Sequence, residues 1–237
     1  MLESLVTVIY VLIGIGSVAG AIYVAQDKLA EFTRDLSVVY SSTEATIGDV
    51  SSTREKKNIS GIAEKHEETV QSPLRDRECL AYKSTIQNTT GLIKSTIFED
   101  ESRVQFSLRD GSDSALVETN NADLHLEKDV APVNLDSVRS ILSQEAIGQV
   151  SVRDVSAKEG HIKSGDSVFI YGDIKPRMDG EVGEAITAET DGEMVISNMP
   201  RGEIKRHLLK MFVSYGAVTA FLFVSGLVVA SLGLGLF

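Results

Sequence analysis

Two long runs without a single charged side chain, one at each end, constrain this chain more than anything between them. Leu5 to Ala25 is 21 residues and Met211 to Phe237 is 27. At about 1.5 Å per helical residue the first spans roughly 30 Å, the thickness of a bilayer's hydrocarbon core. The second has no polar stripe, and a buried core helix of that length would be out of place in so small a chain. Both runs are therefore expected to be transmembrane helices. A cleaved signal peptide is the rival reading of the first, but its leading residues, MLES, carry no Lys or Arg. Small residues recur at a four-residue spacing in each run, Gly16 with Gly20 and Gly226 with Ala230. That spacing allows close helix contact in lipid, within the chain or between copies in a homo-oligomer.

The charge is confined to the middle. Residues 26–210 hold 23 basic and 33 acidic side chains, a net of −10. Nucleic acid is an unsuitable partner for such a surface, because phosphate binding needs basic patches. Six of the basic residues flank the apolar runs: Lys28 and Arg34 after the first, and a collar of Arg201, Lys205, Arg206 and Lys210 before the second. This collar is expected to face anionic lipid, and the positive-inside rule places the central domain in the cytoplasm. Two glycosylation sequons, Asn58-Ile-Ser60 and Asn88-Thr-Thr90, point the other way, as does the indifference of long loops to charge.

Within the middle, Gln26 to about Tyr40 continues the helix, with Leu29, Phe32, Leu36 and Val39 on one face. Ser41 to Lys57, rich in Ser, Thr and Glu, reads as a linker. From Asn58 the texture is of short strands: Ile59–Ala63, Cys79–Gln87, Thr96–Phe98, Arg103–Leu108, Ala115–Val117, Leu124–Leu126, Val150–Val155, Ser167–Ile174 and Met194–Ile196. Arg109-Asp110-Gly111-Ser112 marks a hairpin turn and Gly165-Asp166 a tight turn. One helix is expected from Leu135 to about Glu145, capped by Asn134. The fold class is a mainly β (α+β) central domain between two transmembrane helices. An OB-like, partly open barrel is the specific expectation.

Chemistry is sparse. One cysteine, Cys79, excludes an internal disulfide and any zinc module built on several thiolates. His66, His125, His161 and His207 fall in no metal-binding spacing. No phosphate loop or nucleophile elbow occurs, so neither a cofactor nor a catalytic residue is assigned.

One stretch is nonetheless distinctive: Ser72-Pro73-Leu74-Arg-Asp-Arg-Glu-Cys79-Leu-Ala-Tyr82. It resembles the S-P-L-x-x-x-x-C-x-x-Y element of the GIDE, or BAM (beside-a-membrane), domain of the mitochondrial E3 ubiquitin ligases known as GIDE, MULAN or MAPL. Further matches follow in order: Phe106-Ser-Leu-Arg-Asp110-Gly111, then Lys163-Ser-Gly165-Asp166-Ser-Val-Phe-Ile-Tyr-Gly172, then Met194-Val-Ile-Ser197-Asn. The similarity covers about residues 58–210 and includes the two-span layout. It implies a membrane-adjacent domain that engages partners; in the family that domain faces the intermembrane space. The ligases carry a RING after the second span, holding two zinc ions through Cys and His. One Cys and four scattered His cannot build it, and the sequence ends within the second span. The resemblance therefore implies a RING-less member of prokaryotic, archaeal kind. Its expected role is a non-catalytic interaction or scaffold module with the bilayer and a protein as partners. The alternatives are an accessory subunit of an E3 ubiquitin ligase-like membrane system, or a membrane hydrolase whose cleft would converge on His161 or Cys79.

Overall fold

A computed structural model describes residues 2–49, 56–89, 95–111, 113–120, 122–131, 141, 155–173, 175–176, 184–187 and 194–234. The chain forms two compact units, one of Met1–Ser37 with Lys205–Phe237 and one of Val38–Ile204.

The first unit is helical. Helix α1 (Leu2–Val24) runs through a π-helical turn (Ala25–Leu29) into α2 (Ala30–Ser41), and the last helix, α3, is Arg201–Gly233. Both are long and apolar enough to cross a membrane. Their surfaces bristle with exposed Val, Ile, Leu and Phe, which water would penalise and lipid would not. The two helices lie antiparallel. Gly14 meets Gly226 and Ala230, Gly233 meets Tyr10 and Val11, and the rings of Phe32 and Tyr215 stand 5.4 Å apart. The spacing of small residues in α1 thus does not mark the contact made within the chain. Gly16 and Gly20 have open space above them, and it is Gly14 that sits on the contact.

The second unit is mixed α+β and mostly sheet. Its strands are β1 (Thr43–Glu44), β2 (Lys56–Lys65), β3 (Val70–Gln71), β4 (Glu78–Cys79), β5 (Ala81–Asn88), β6 (Ser95–Arg103), β7 (Phe106–Arg109), β8 (Ser114–Val117), β9 (Ala122–His125), β10 (Asp129–Val130), β11 (Val155–Ile162), β12 (Ser167–Asp173), β13 (Lys175–Pro176), β14 (Glu184–Thr187) and β15 (Met194–Ser197). The larger sheet runs β13-β14-β8-β7-β2-β12-β15-β9, with β1 also on β2; the smaller runs β10-β11-β5-β6. Among the described residues neither order returns to its start, so no sheet is closed.

Alternation explains the main core. Phe106 and Leu108 of β7, Ile59 and Ala63 of β2, Val168 and Ile170 of β12, and Ile196 of β15 are all buried in one cluster. Each strand turns every second side chain to that face, and β-branched residues fill it densely. The β7–β8 hairpin forms where its turn chemistry placed it: the Asp110 carboxylate accepts the Asp113 N–H. Gly165 adopts φ +96°, a backbone region that costs a residue with a Cβ. There the Asp166 carboxylate closes the turn by accepting the Lys163 N–H at 2.8 Å.

Two readings of the sequence change, and two fall largely outside the described residues. The expected linker from Ser41 is structured at its start: Ser41 is helical, Thr43 and Glu44 pair with β2, and Ile47 is buried. Its backbone is satisfied from afar, since Asp110 Oδ2 accepts the Ile47 N–H at 2.6 Å. The expected strand Arg103–Leu108 breaks in two, with β6 ending at Arg103 and β7 starting at Phe106. The helix from Leu135 to Glu145 lies outside the described residues except for Ile141, which is helical and packs on a small second core. The strand Val150–Val155 lies outside them except for Val155, where β11 begins.

Candidate functional site

The Ser72–Tyr82 motif folds over the smaller sheet, and a side chain from β11 organises it. Glu159 is 1% exposed. A carboxylate so far from water needs donors around it, or burial costs several kcal/mol. It has three. Ser72 Oγ donates to Oε1 at 2.9 Å, while the Leu74 N–H and Ser84 Oγ donate to Oε2 at 3.0 and 2.9 Å. Pro73 fixes the chain between two of those donors, and Ser72 closes the loop by accepting the Asp76 N–H on its carbonyl and the Arg77 N–H on its hydroxyl. Leu74 then drops into the small core with Ile86, Ala131 and Ala157.

Cys79 and Tyr82 complete the motif on the strands beneath. Cys79 is buried, and its thiol donates to the Val70 carbonyl across the β3–β4 pair at 3.5 Å. Burial first, and the Glu159 charge second, push the thiol up to about 11. It is a protonated, packed sulfur at neutral pH rather than a nucleophile. At pH 8 such a group is about 0.1% thiolate. Iodoacetamide at that pH is therefore expected to leave Cys79 unmodified in the folded protein and to label it within minutes after unfolding; rapid labelling of the native state would contradict the assignment. Tyr82 donates to Asp100 Oδ2 at 2.8 Å, and burial with that acceptor raises its phenol.

Beside the loop is a cleft of about 310 Å³ whose lining includes His161, Glu127, Asp129, Asp166 and Asn198. His161 faces Tyr82 in register across β11 and β5. Burial, then the charges of Lys163 and Arg77, lower its pKa, so the ring is neutral at pH 7; its Nδ1 is buried without a hydrogen-bond partner. Because the folded state resists protonating this ring, its contribution is fully present above the ordinary value near 6.5 and is lost as pH falls below it. A His161→Gln variant is expected to lose less stability than the wild type between pH 7 and 5, as read by thermal unfolding at each pH; parallel curves would remove His161 from the account. No described side chain places a nucleophile on this histidine, and among the described residues no group of three or more His, Cys, Asp or Glu is placed to hold a metal.

The other motif residues are spread through the scaffold. Phe106 is core, Asp110 and Gly111 form the hairpin turn that holds Ile47, and Gly165 and Asp166 tie the turn before β12 to Ala63. Gly172 pairs with Met194 and Lys57. Ser197 donates to the His125 carbonyl and accepts the Met199 N–H, bracing the exit from β15. The sequon residue Asn58 is 5% exposed within β2, which closes it to modification in the folded state.

The four collar residues do not act alike. Arg201 reaches sideways: its guanidinium donates to the carbonyls of Ser42 at 2.6 Å and Val39 at 3.5 Å. A cation there satisfies acceptors at the C-terminal end of α2 and complements its dipole. Lys205 is half-buried, whereas Arg206 and Lys210 are exposed.

Sequence reasoning missed Glu159, the residue that joins the motif together. Compared with known proteins, the chain matches no family model and no curated protein.

Proposed function

We propose that the chain is a two-span membrane protein that presents a β-rich domain beside the bilayer as a non-catalytic interaction or scaffold module. One observation carries this reading. The two places where the chain leaves the β domain, Ser42 and Arg201, are hydrogen-bonded to each other, and each leads into an apolar helix. A domain whose two exits are latched side by side suits attachment to one membrane face through a helix pair. The groups gathered at the motif are held in the scaffold: the Glu159 carboxylate beneath it is spent on three internal hydrogen bonds, and the Cys79 thiol is protonated. The resemblance to the GIDE domain and to a curved, partly open barrel belongs to the same proposal, as does a cytoplasmic position read from the basic flanks.

The cleft at His161 favours a second reading, a membrane hydrolase, because an acid-lined hollow converges on a neutral imidazole. One experiment separates the two. The protein is expected to stay with the membrane on alkaline extraction, and affinity capture from native membranes is expected to return the same partners from wild type, Cys79→Ala and His161→Ala. Release into the supernatant would overturn the anchoring. A partner set that changes with His161→Ala would favour the hydrolase.

A further inference from the structure

The contacts between the helices fix their relative register, and the register places charge at an unexpected depth. Val18 touches Gly226, and Phe32 stands against Tyr215. Gln26 to Glu31 is bracketed by those contacts, so it runs beside the turn of α3 that follows Tyr215, Gly216 to Thr219. That part of α3 is free of charge, and the charged residue before it, Lys210, lies about two helical turns nearer the start of α3. Asp27, Lys28 and Glu31 are thus level with an apolar flank. The charge-free run of α1 ends at Ala25 after about one bilayer-core length, so the layer directly above it is the headgroup zone. That zone accepts charged and apolar groups together, and aromatic rings collect there. Tyr23, 69% exposed, and Tyr215 mark it on the two helices.

At this depth α1 is built differently from an ordinary helix. The π-helical turn Ala25–Leu29 leads into a hollow of about 460 Å³ lined by Gln26, Asp27, Ala30, Glu31 and Arg34. Such turns recur at functional sites because they re-aim side chains. Asp27 and Glu31 are one turn apart along the helix and Arg34 a turn further on, where its Nε stands 3.5 Å from the buried Asp35 carboxylate while the residue lines the hollow. Lys28, which donates to Glu31 Oε2 at 3.2 Å and lies 3.5 Å from Asp27, holds the two carboxylates in place.

We propose that this hollow binds the headgroup of a zwitterionic phospholipid bearing a primary ammonium. The ammonium has three donors for the Asp27 and Glu31 carboxylates, and the phosphate next to it suits the planar fork of Arg34. A choline headgroup has no N–H donor for the carboxylates, and neither has a headgroup whose only charge is its phosphate. The inference rests on the membrane-spanning reading above and deepens it.

The test uses the full chain, reconstituted in bilayers that mix phosphatidylethanolamine, phosphatidylcholine and phosphatidylglycerol equally, then gently delipidated and weighed intact by mass spectrometry. Phosphatidylethanolamine is expected to be retained about tenfold over phosphatidylcholine, a preference worth about 1.4 kcal/mol. Asp27→Asn with Glu31→Gln, and separately Arg34→Gln, are expected to reduce that ratio to near one. Equal retention of the two zwitterionic lipids by the wild type, preferred retention of phosphatidylglycerol, or a ratio unchanged in every variant would overturn the site. A wild-type ratio near one overturns the site even if a variant fails to fold, and the two variant sets are independent, so either one that folds completes the test. Release of the protein by alkaline extraction would instead sink the membrane reading beneath it.

Discussion

Replacing Glu159 by alanine is expected to destabilise the β domain by about 3–5 kcal/mol, the largest loss from any single substitution outside the apolar core. The reason is asymmetry. The carboxylate, itself 1% exposed, satisfies two hydroxyls and one backbone N–H, and removing it leaves all three donors without that acceptor. The hydroxyls of Ser72 and Ser84 can rotate toward other acceptors; the Leu74 N–H cannot, and Leu74 is held in the small core by that bond. Glu159→Gln keeps the shape and one acceptor oxygen but turns an NH2 toward a cluster of donors, so its cost is expected to be smaller, about 1–2 kcal/mol. Denaturant unfolding of the full chain in micelles measures both, and hydrogen exchange at Leu74 reports the loop directly. An alanine variant within about 0.5 kcal/mol of wild type would show that the motif is held by something other than this carboxylate.

That residue also marks where sequence reading stops. The Ser72–Tyr82 stretch is distinctive by itself, but its organiser lies 85 and 87 positions away from two of its partners. In the run Lys158-Glu159-Gly160-His161 nothing separates a buried acid from a solvated one, because acids in strands are usually exposed and only spatial donors reverse that. Strands such as Ser114–Val117, expected over Ala115–Val117, were legible, since burying one face imposes alternation. Thr43 to Ile47 were not, since their order depends on Asp110, 63 positions from Ile47, and Ser/Thr-rich composition carries no trace of it. The apolar helices were legible from the absence of charge alone, a property of the run that needs no partner. Which face of each helix meets the other is a pairwise property, and a four-residue spacing of glycines does not contain it.

That face decides the second large effect. Gly14→Leu is expected to break or splay the helix pair, at a cost of about 3 kcal/mol or more, beyond ordinary overpacking because the obstacles include backbone. A Cβ at position 14 would stand 2.7 Å from the Ala230 Cβ, the Ala230 backbone nitrogen and the Gly226 carbonyl oxygen. Trimming Ala230 to glycine removes only the first of these, so Gly14→Leu with Ala230→Gly is expected to recover little. Even Gly14→Ala should be felt, since its methyl is the clashing atom. Gly16→Leu and Gly20→Leu are the controls: nothing lies within 4 Å of a Cβ at either position, and both are expected to fall within about 0.5 kcal/mol of wild type. Spin labels at the exposed positions Leu12 and Leu232 give the interhelical distance in micelles while the buried Cys79 stays unlabelled. The distance should lengthen or broaden for the position-14 variants and hold for the controls. If instead Gly16→Leu and Gly20→Leu disturb the pair and Gly14→Leu does not, α1 meets α3 through its other face. Asp27, Lys28 and Glu31 would then turn to a different side of the bundle, taking the proposed lipid hollow with them.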